Sequence, residues 1–519
     1  MSNRLSVKPG RLEAWVVGKS TWLALGVIAV AFAERFVYAD SCYLNPDEAS
    51  HFDQARPSSW LDSYRAALTQ AHPPLFILVL HGVLFLGRSE VVLRLPSLVG
   101  GTVALWLAFA WLRRNLGAVP ALAGLGFMAF SPAAVSASTE VRQYGLLLCF
   151  VCGSLYATER AFSERSIRWA IIQGLFQLCA LLTHYTAIVA ILSLNLYVLL
   201  RFFADGLPRR ILVTMGVSQI VLAVVLACLY FGHVRGYIPF GPGASMDYLR
   251  NYYYAAARET PLGFVWRALS GTFSYAAGER RLALLLMAAF LAGLAALLAG
   301  RVQSGKSLML LLLAPFAVGF VAAAFQVFPF AGSRHQTYLL PFLAAGIAAA
   351  LTCLHRRWAV LLLLSGAVLA PFWVTRTAPE NNRQNQPIGD MAAAITYVDQ
   401  TVPYESPLFV DYETREVLRY YLTRNDTSMD ILRSNVVVEE QQGRYRVVVP
   451  QKYVWAFRPN EALEQVNESA RALDVPSGDS LWVFSAAWYS APLASRLPAD
   501  EAREGKEFGL ISVIKIKRQ

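Results

Sequence analysis

The chain predicts a mostly α-helical, polytopic membrane protein with about 11 transmembrane helices, juxtamembrane helices in its first outer loop and a small C-terminal soluble α/β domain. Three observations carry this. Hydrophobic residues make up 56% of the 519 and charged residues only 16%, which is too little polar surface for a soluble globule of that length. Apolar runs of roughly 20 residues, enough to cross a hydrocarbon core of about 30 Å, recur from Thr21 to Val374 and then stop. Beyond Thr375 charges of both signs mix with short alternating apolar strings.

The N-terminus carries Arg4, Lys8, Arg11 and Lys19 but no small-residue cleavage site, so Trp22 to Tyr38 reads as a retained first helix. Glu34 and Arg35 near its end are expected to satisfy each other or the interface. The next spans are Val91 to Leu112, Ala118 to Val135, Tyr144 to Phe162, Trp169 to Leu182 and Thr186 to Phe203. Then come Ile211 to Phe231, Leu282 to Leu298, Leu308 to Val327, Tyr338 to Leu354 and Trp358 to Val374. Leu75 to Leu86 is short, follows Pro73-Pro74 and carries His81, so it is expected to lie along the outer face.

Loop charge orients the chain. The net charge of +11 invites a nucleic-acid partner, but in a membrane chain the basic residues are read by loop, and no nucleic acid is expected. Arg113-Arg114, Arg160, Arg165, Arg168, Arg201, Arg209, Arg210, Arg301, Lys306 and His355-Arg356-Arg357 all fall on one side if Leu75 to Leu86 does not cross. That side is cytoplasmic, with the N-terminus, in a multi-pass protein of the inner (plasma) membrane. The odd number of spans puts the C-terminal segment outside. Residues 1–375 then form the transmembrane domain and 376–519 an extracytoplasmic α/β domain, with Leu408 to Val410 and Tyr445 to Val449 as strands, Met391 to Val398 as helix and Asn381 to Asn385 as linker.

Of six cysteines only Cys42 lies outside the spans, so no external disulfide is expected, and Cys149 with Cys152 reads as helix packing. The long outer segment Gly232 to Arg281 is rich in aromatics, among them Tyr237, Tyr248 and Trp266. Most suit an interfacial belt, and Tyr252 to Tyr254 suit an amphipathic lid helix.

The polar residues on the outer side share one chemistry. They are Asp47, Glu48, His51, His72, Arg94, Glu140, Arg142, His184, Tyr185, Arg334, His335 and Tyr338, from six segments. Two carboxylates with several Arg and His suit a site that holds an anionic phosphate and takes a proton from a hydroxyl, which is what glycosyl transfer from a lipid phosphate requires. Asp47 is the candidate base, since partial desolvation raises a carboxylate pKa toward the working pH. Glu48, on an irregular loop behind Pro46, orients the site or the acceptor. Arg94, Arg334 and His335 are the candidate cations for the leaving phosphate, each such donor being worth roughly 2.7 to 4 kcal/mol by analogy with oxyanion sites. Neither a GxGxxG nor a Walker pattern is present.

Each residue also has a structural reading. Asp47-Glu48 is consistent with a solvated loop pair, His72 with a cap before two prolines, Arg94 with a snorkelling interfacial anchor, and His184 with a residue that only bonds its own turn.

In order and spacing, Pro46-Asp47-Glu48, His72-Pro73-Pro74-Leu75, Arg94-Leu95-Pro96-Ser97, Glu140 to Tyr144, Thr183-His184-Tyr185 and Arg334 to Tyr338 resemble the GT-C membrane glycosyltransferases related to protein O-mannosyltransferases and the lipid A aminoarabinose transferase. The resemblance runs from Asp47 through Leu354. It implies inverting transfer from a polyprenyl-phosphate sugar donor, within the membrane lipid, to a glycan, lipid or protein acceptor outside the cytoplasm. The first Asp of the outer-loop pair is then the base, with no cofactor and a dispensable metal. Relatives carry a different pattern around Thr139-Glu140 and Arg142-Gln143-Tyr144, which weakens the role of Glu140. A transporter or flippase, or a ligase using a diphosphate-linked glycan, is the competing reading; a transporter calls for midplane charges and paired repeats, and neither is found.

Overall fold

The computed structural model describes residues 11–206, 208–236, 249–302, 305–354, 358–363, 365–366, 387–404, 406–425, 431–433, 437–450, 455, 459–486, 491–497 and 503–518. The protein is mostly helical. The first helix, α1 (Arg11–Ser41), starts eleven residues before the expected span and ends three beyond it. Three short helices follow outside it: α2 (Pro46–Ala55), α3 (Trp60–Ala67) and α4 (Leu75–Val83). At nine residues α4 is too short to span, as expected, and its His81 is structural, with Nδ1 2.7 Å from the Ala55 carbonyl and 3.0 Å from Ser63 Oγ.

The bundle continues through α5 (Glu90–Leu116), α6 (Ala118–Phe130), α7 (Pro132–Thr139), α8 (Tyr144–Ser163), α9 (Ile167–Thr183), α10 (Ala187–Asp205) and α11 (Arg209–Gly232). Among the described residues eight helices are long and apolar enough to cross a membrane, nine with the bent pair α6–α7. The expected tally of about 11 also counted α9, which at 17 residues is a shorter apolar helix. It counted Trp358 to Val374 too, where residues 364 and 367–374 lie outside the described residues. So do the linker at 381–385, the basic run at 355–357, and Tyr237 and Tyr248.

One expected span is broken. Ala118 to Val135 bends by 57° between α6 and α7, because Pro132 has no N–H for the Met128 carbonyl and Ser131 is extended at φ −65°, ψ 125°. Arg35 fills the gap. Expected to satisfy Glu34 or the interface, its buried guanidinium instead donates to the carbonyls of Ala129 at 2.8 Å and Met128 at 3.3 Å, the groups that the break strips of helical partners. The bend lets the chain turn back at Glu140.

The expected lid segment differs as well. Arg250–Tyr252 is one 3-10 turn rather than a lid helix, after which Tyr253 is extended. The Tyr252 carbonyl accepts from the Phe330 backbone N–H at 2.7 Å. The amphipathic helix lies at Pro261–Ala277, where a Thr260 cap and Pro261 at the first position set its start.

The C-terminal part is a mixed seven-stranded sheet in the order β2-β3-β4-β1-β5-β7-β6. Its strands are β1 (Leu408–Phe409), β2 (Ile431–Arg433), β3 (Val437–Gln442), β4 (Tyr445–Pro450), β5 (Ser480–Ser485), β6 (Arg503–Phe508) and β7 (Ile511–Lys517). β1 runs parallel to β4 and β5, and the other pairings are antiparallel. Side chains that alternate across the central strands give the sheet two apolar faces. Leu481, Val483, Ile514 and Ile516 pack under the helix Ala462–Ala472. Val447, Val449, Trp482, Phe484 and Val513 join one cluster with Phe52, Phe76, Leu80, Leu93 and Val141 of the membrane-side loops.

That shared core positions the site. The helix Tyr412–Thr423 lies on α2, with Phe52 and Tyr420 edge to face at 5.0 Å and the Leu44 N–H donating to Tyr421 Oη at 2.9 Å. Buried Arg419 bonds both oxygens of Glu440, at 2.8 and 2.7 Å, and also pairs with Asp53 of α2.

Candidate active site

Asn-Pro-Asp-Glu is a helix start rather than an irregular loop. Asn45 Oδ1 accepts from the Glu48 N–H at 3.1 Å and Glu48 Oε2 accepts from the Asn45 N–H at 3.0 Å, with Pro46 at the first helical position. Successive helical residues point about 100° apart, so Asp47 and Glu48 face different surroundings. His51, four residues on, shares the face of Asp47.

Glu48 is fully buried and belongs to Arg94. Its two oxygens accept from Arg94 Nε and Nη2, both at 2.8 Å, and Oε1 also takes the Val141 N–H at 2.7 Å. Arg94 donates its remaining N–H groups to the carbonyls of Ala39 at 2.6 Å, Cys42 at 2.8 Å and Tyr43 at 3.1 Å. All five guanidinium donors are used, so Arg94 has none left for a phosphate. The expectation that Arg94 holds the donor is corrected: with Glu48 it locks the connection after α1 to α5 and to Val141.

Asp47 faces the open side, about one third exposed, with Oδ2 paired to Arg142 and 2.9 Å from Arg334 Nη2. Burial works to raise its pKa, yet Arg142 and Arg334, with His51 behind them, outweigh it and hold the carboxyl at about 2. Arg142 is itself buried, with Nε unpartnered and its guanidinium 5.6 Å from the centre of the Tyr144 ring. Close helix packing puts it there. A Cβ on Gly145 would lie 2.4 Å from the Ser97 carbonyl, so only glycine lets α8 meet α5, and Ser97 Oγ donates to the Arg142 carbonyl at 2.6 Å. Glu140 accepts from Ser136 Oγ at 2.7 Å; burial first, then Glu48, raises its pKa.

The histidines gather beside this cluster. The His184 ring is 4.9 Å from His72, 5.4 Å from Tyr144 and 6.0 Å from His335. The Nε2 atoms of His184 and His335, both buried, make no hydrogen bond, and neither do the hydroxyls of Tyr144 and Tyr338. Arg334 reaches Asp47 because its loop is pinned: Gly332 sits at φ +85°, and a Cβ there would be 2.1 Å from the Gly271 carbonyl. Tyr185 turns away, its hydroxyl donating at 2.8 Å to His233, which in turn donates to the Gln70 carbonyl at 2.6 Å. A substrate contact for Tyr185 is therefore not supported.

Of the expected site residues, Asp47, His72, Arg142, His184, Arg334 and His335 come together, Glu140 lies within the influence of Arg142 and Arg334, Tyr338 is buried in the bundle core, and Glu48 and Arg94 form the brace behind. Sequence reasoning left His51 among the outer polar residues without a role, although its i+4 spacing from Asp47 was readable once the helix start was recognised. It missed Tyr144 and Thr186 as site residues, for which the sequence holds no signal beyond their neighbours Arg142 and His184. Among the described residues no group of three His, Cys, Asp or Glu has the geometry to hold a metal ion.

Residues 71–231 match the model of the dolichyl-phosphate-mannose-protein mannosyltransferase family. The structure is similar to ArnT from Cupriavidus metallidurans in the apo state, at 15% identity and a TM-score of 0.55 over 96% of this chain and 98% of that one. Against ArnT bound to undecaprenyl phosphate the values are 16% and 0.54, over 96% and 98%. Against the archaeal oligosaccharyltransferase AglB from Archaeoglobus fulgidus, in complex with an inhibitory peptide and a dolichol-phosphate, they are 11% and 0.50, over 90% and 70%. No curated protein matches the chain by sequence. The chain thus has the fold of ArnT, and its residues 71–231 carry the signature of the dolichyl-phosphate-mannose-protein mannosyltransferase family.

Proposed function

We propose that the protein transfers a sugar from a polyprenyl-phosphate donor to an acceptor hydroxyl on the extracytoplasmic side of the inner membrane, with inversion at the anomeric carbon. The observation that carries this reading is the carboxylate of Asp47 held between Arg142 and Arg334, beside imidazoles whose buried Nε2 atoms lack partners. A phosphate supplies the oxygens those donors are missing.

In the proposed reaction the acceptor oxygen attacks C1 of the sugar while the bond from C1 to the phosphate oxygen breaks. The electron pair leaves with the polyprenyl phosphate, Arg142 and Arg334 carry its charge, and the acceptor proton passes to Asp47. A phosphate drawn between the two guanidiniums neutralises the charges that depress Asp47, so the carboxylate becomes a stronger base as the donor binds. The leaving phosphate needs no protonation and the reading needs no metal ion. Activity in excess chelator is its expectation.

The test offers radiolabelled polyprenyl-phosphate monosaccharides to the protein in proteoliposomes together with host extract, comparing wild type and Asp47→Asn. Label transferred by wild type alone supports the reading. Transfer only from diphosphate-linked donors replaces it with a ligase, and movement of the lipid without transfer replaces it with a flippase.

A further inference from the structure

The connection between α9 and α10 is only His184, Tyr185 and Thr186, and Thr186 folds back onto His184. Its backbone N–H lies 3.1 Å from His184 Nδ1 and its hydroxyl 2.9 Å from the same atom. A backbone N–H can only donate, so Nδ1 carries the lone pair and the ring proton sits on Nε2. A second proton would set Nδ1–H against the Thr186 N–H. Burial first, then His335, Arg142 and Arg334, disfavours it too, and the rings of His72 and Tyr144 lie 4.9 and 5.4 Å away. The Nε2–H that results is buried, in a residue 2% exposed, and meets no acceptor in the protein.

We propose that His184 is a fixed, neutral N–H donor to an oxygen of the donor phosphate, and that Thr186 is the positioning residue that sets its tautomer. The ligand rests on the reading given above; the tautomer does not. An imidazole held this way is neither acid nor base in the reaction, which leaves the acceptor proton to Asp47. It adds a hydrogen bond to the phosphate without a third cation beside Arg142 and Arg334, whose charge would weaken Asp47 further as a base. Nothing in the residue types of Thr183-His184-Tyr185-Thr186 separates this from an imidazolium; the backbone donor at Nδ1 does.

The experiment uses the full chain, 15N-labelled at histidine, in proteoliposomes, with His184 assigned by the signal lost in His184→Gln. The expected spectrum has Nδ1 bare and Nε2 protonated from pH 5 to pH 8, and the Nε2–H signal moves when undecaprenyl phosphate is added. Thr186→Val, which lacks the hydroxyl but keeps the backbone N–H, leaves Nδ1 bare, whereas Thr186→Pro, which removes that N–H, broadens or splits the tautomer signal. A protonated Nδ1 at His184 at pH 5 overturns the tautomer and with it the role of Thr186. Affinity for undecaprenyl phosphate gives the second readout. His184→Gln, whose amide N–H stands in for Nε2–H, stays within about threefold of wild type, while His184→Phe loses roughly tenfold. Equal binding by wild type and His184→Phe overturns the ligand assignment. No binding by any form, with the tautomer signal intact, instead removes the phosphate from the functional reading itself.

Discussion

Oδ2 of Asp47 lies 2.9 Å from Nη2 of Arg334 and is shared with the guanidinium of Arg142. The proposed base is therefore held by the two cations proposed to hold the donor phosphate, and the carboxylate and the phosphate compete for them. Asp47→Asn removes one competitor. It is expected to abolish transfer while binding undecaprenyl phosphate roughly tenfold more tightly, a gain of about 1.4 kcal/mol. Titration of the purified variant against the lipid in nanodiscs checks this; affinity equal to or below that of wild type refutes the competition.

Arg94 and Arg334 are expected to separate stability from binding. Arg94→Met leaves Glu48 buried without its partner, at a cost of about 3 to 5 kcal/mol, and is expected to lower the melting temperature sharply. Arg334→Ala frees a partly exposed end of the site, so it leaves the melting temperature close to wild type while weakening binding of the lipid phosphate. Thermal unfolding in detergent beside lipid binding tests both, and the reverse pattern would return Arg94 to the phosphate.

The sheet region braces the helix that carries Asp47. Arg419 bonds Glu440 and Asp53, and α2 spans both Asp53 and Asp47. Arg419→Met leaves Asp53 to Arg56 and Glu440 to Arg415 and unlinks the two, so transfer falls and the sheet region becomes easier to cleave, while the membrane helices stay intact. Limited proteolysis with an activity assay reads this, and an unchanged digestion pattern with full activity would dismiss the brace.

Acid should unsettle the site in two stages. Burial first, then Arg142, pushes His51 down to about 3, against the pull of Asp47. The folded ring stays neutral where the unfolded one takes a proton near pH 6.5, so the stability that its neutrality supports is complete above that pH and is lost as the pH falls toward about 3. Asp47 has the opposite sense of charge, held at about 2 and contributing above its unfolded value of 3.8, so its share is lost only below that. Melting temperatures from pH 8 to pH 4 should fall for wild type and fall less for His51→Gln. Parallel curves would show that His51 does not set the slope.

Much of the fold was legible because hydrophobic length and loop charge act locally along the chain. The helices α1, α5, α8 and α11 contain the apolar runs that announced them, and Leu75–Val83 was recognised as too short to cross. The misreadings came where a distant partner overrode a local pattern. Arg35 looked like the partner of its neighbour Glu34, yet the break at Pro132, nearly a hundred residues away in sequence, gave it better acceptors. The Asn45 cap and Pro46 also marked a helix start that was readable and was taken for a loop.

The sequence by itself determined the polytopic class and the residue types available to the site, because transfer free energy depends on composition and order. Only the tertiary structure decided which charges meet. Asp47 and Glu48 are adjacent in sequence, and the step of about 100° between successive helical residues sends the first to Arg142 and Arg334 and the second to Arg94. Which cation is left for a substrate follows from that division, since a guanidinium whose five donors are satisfied inside the fold has nothing more to give.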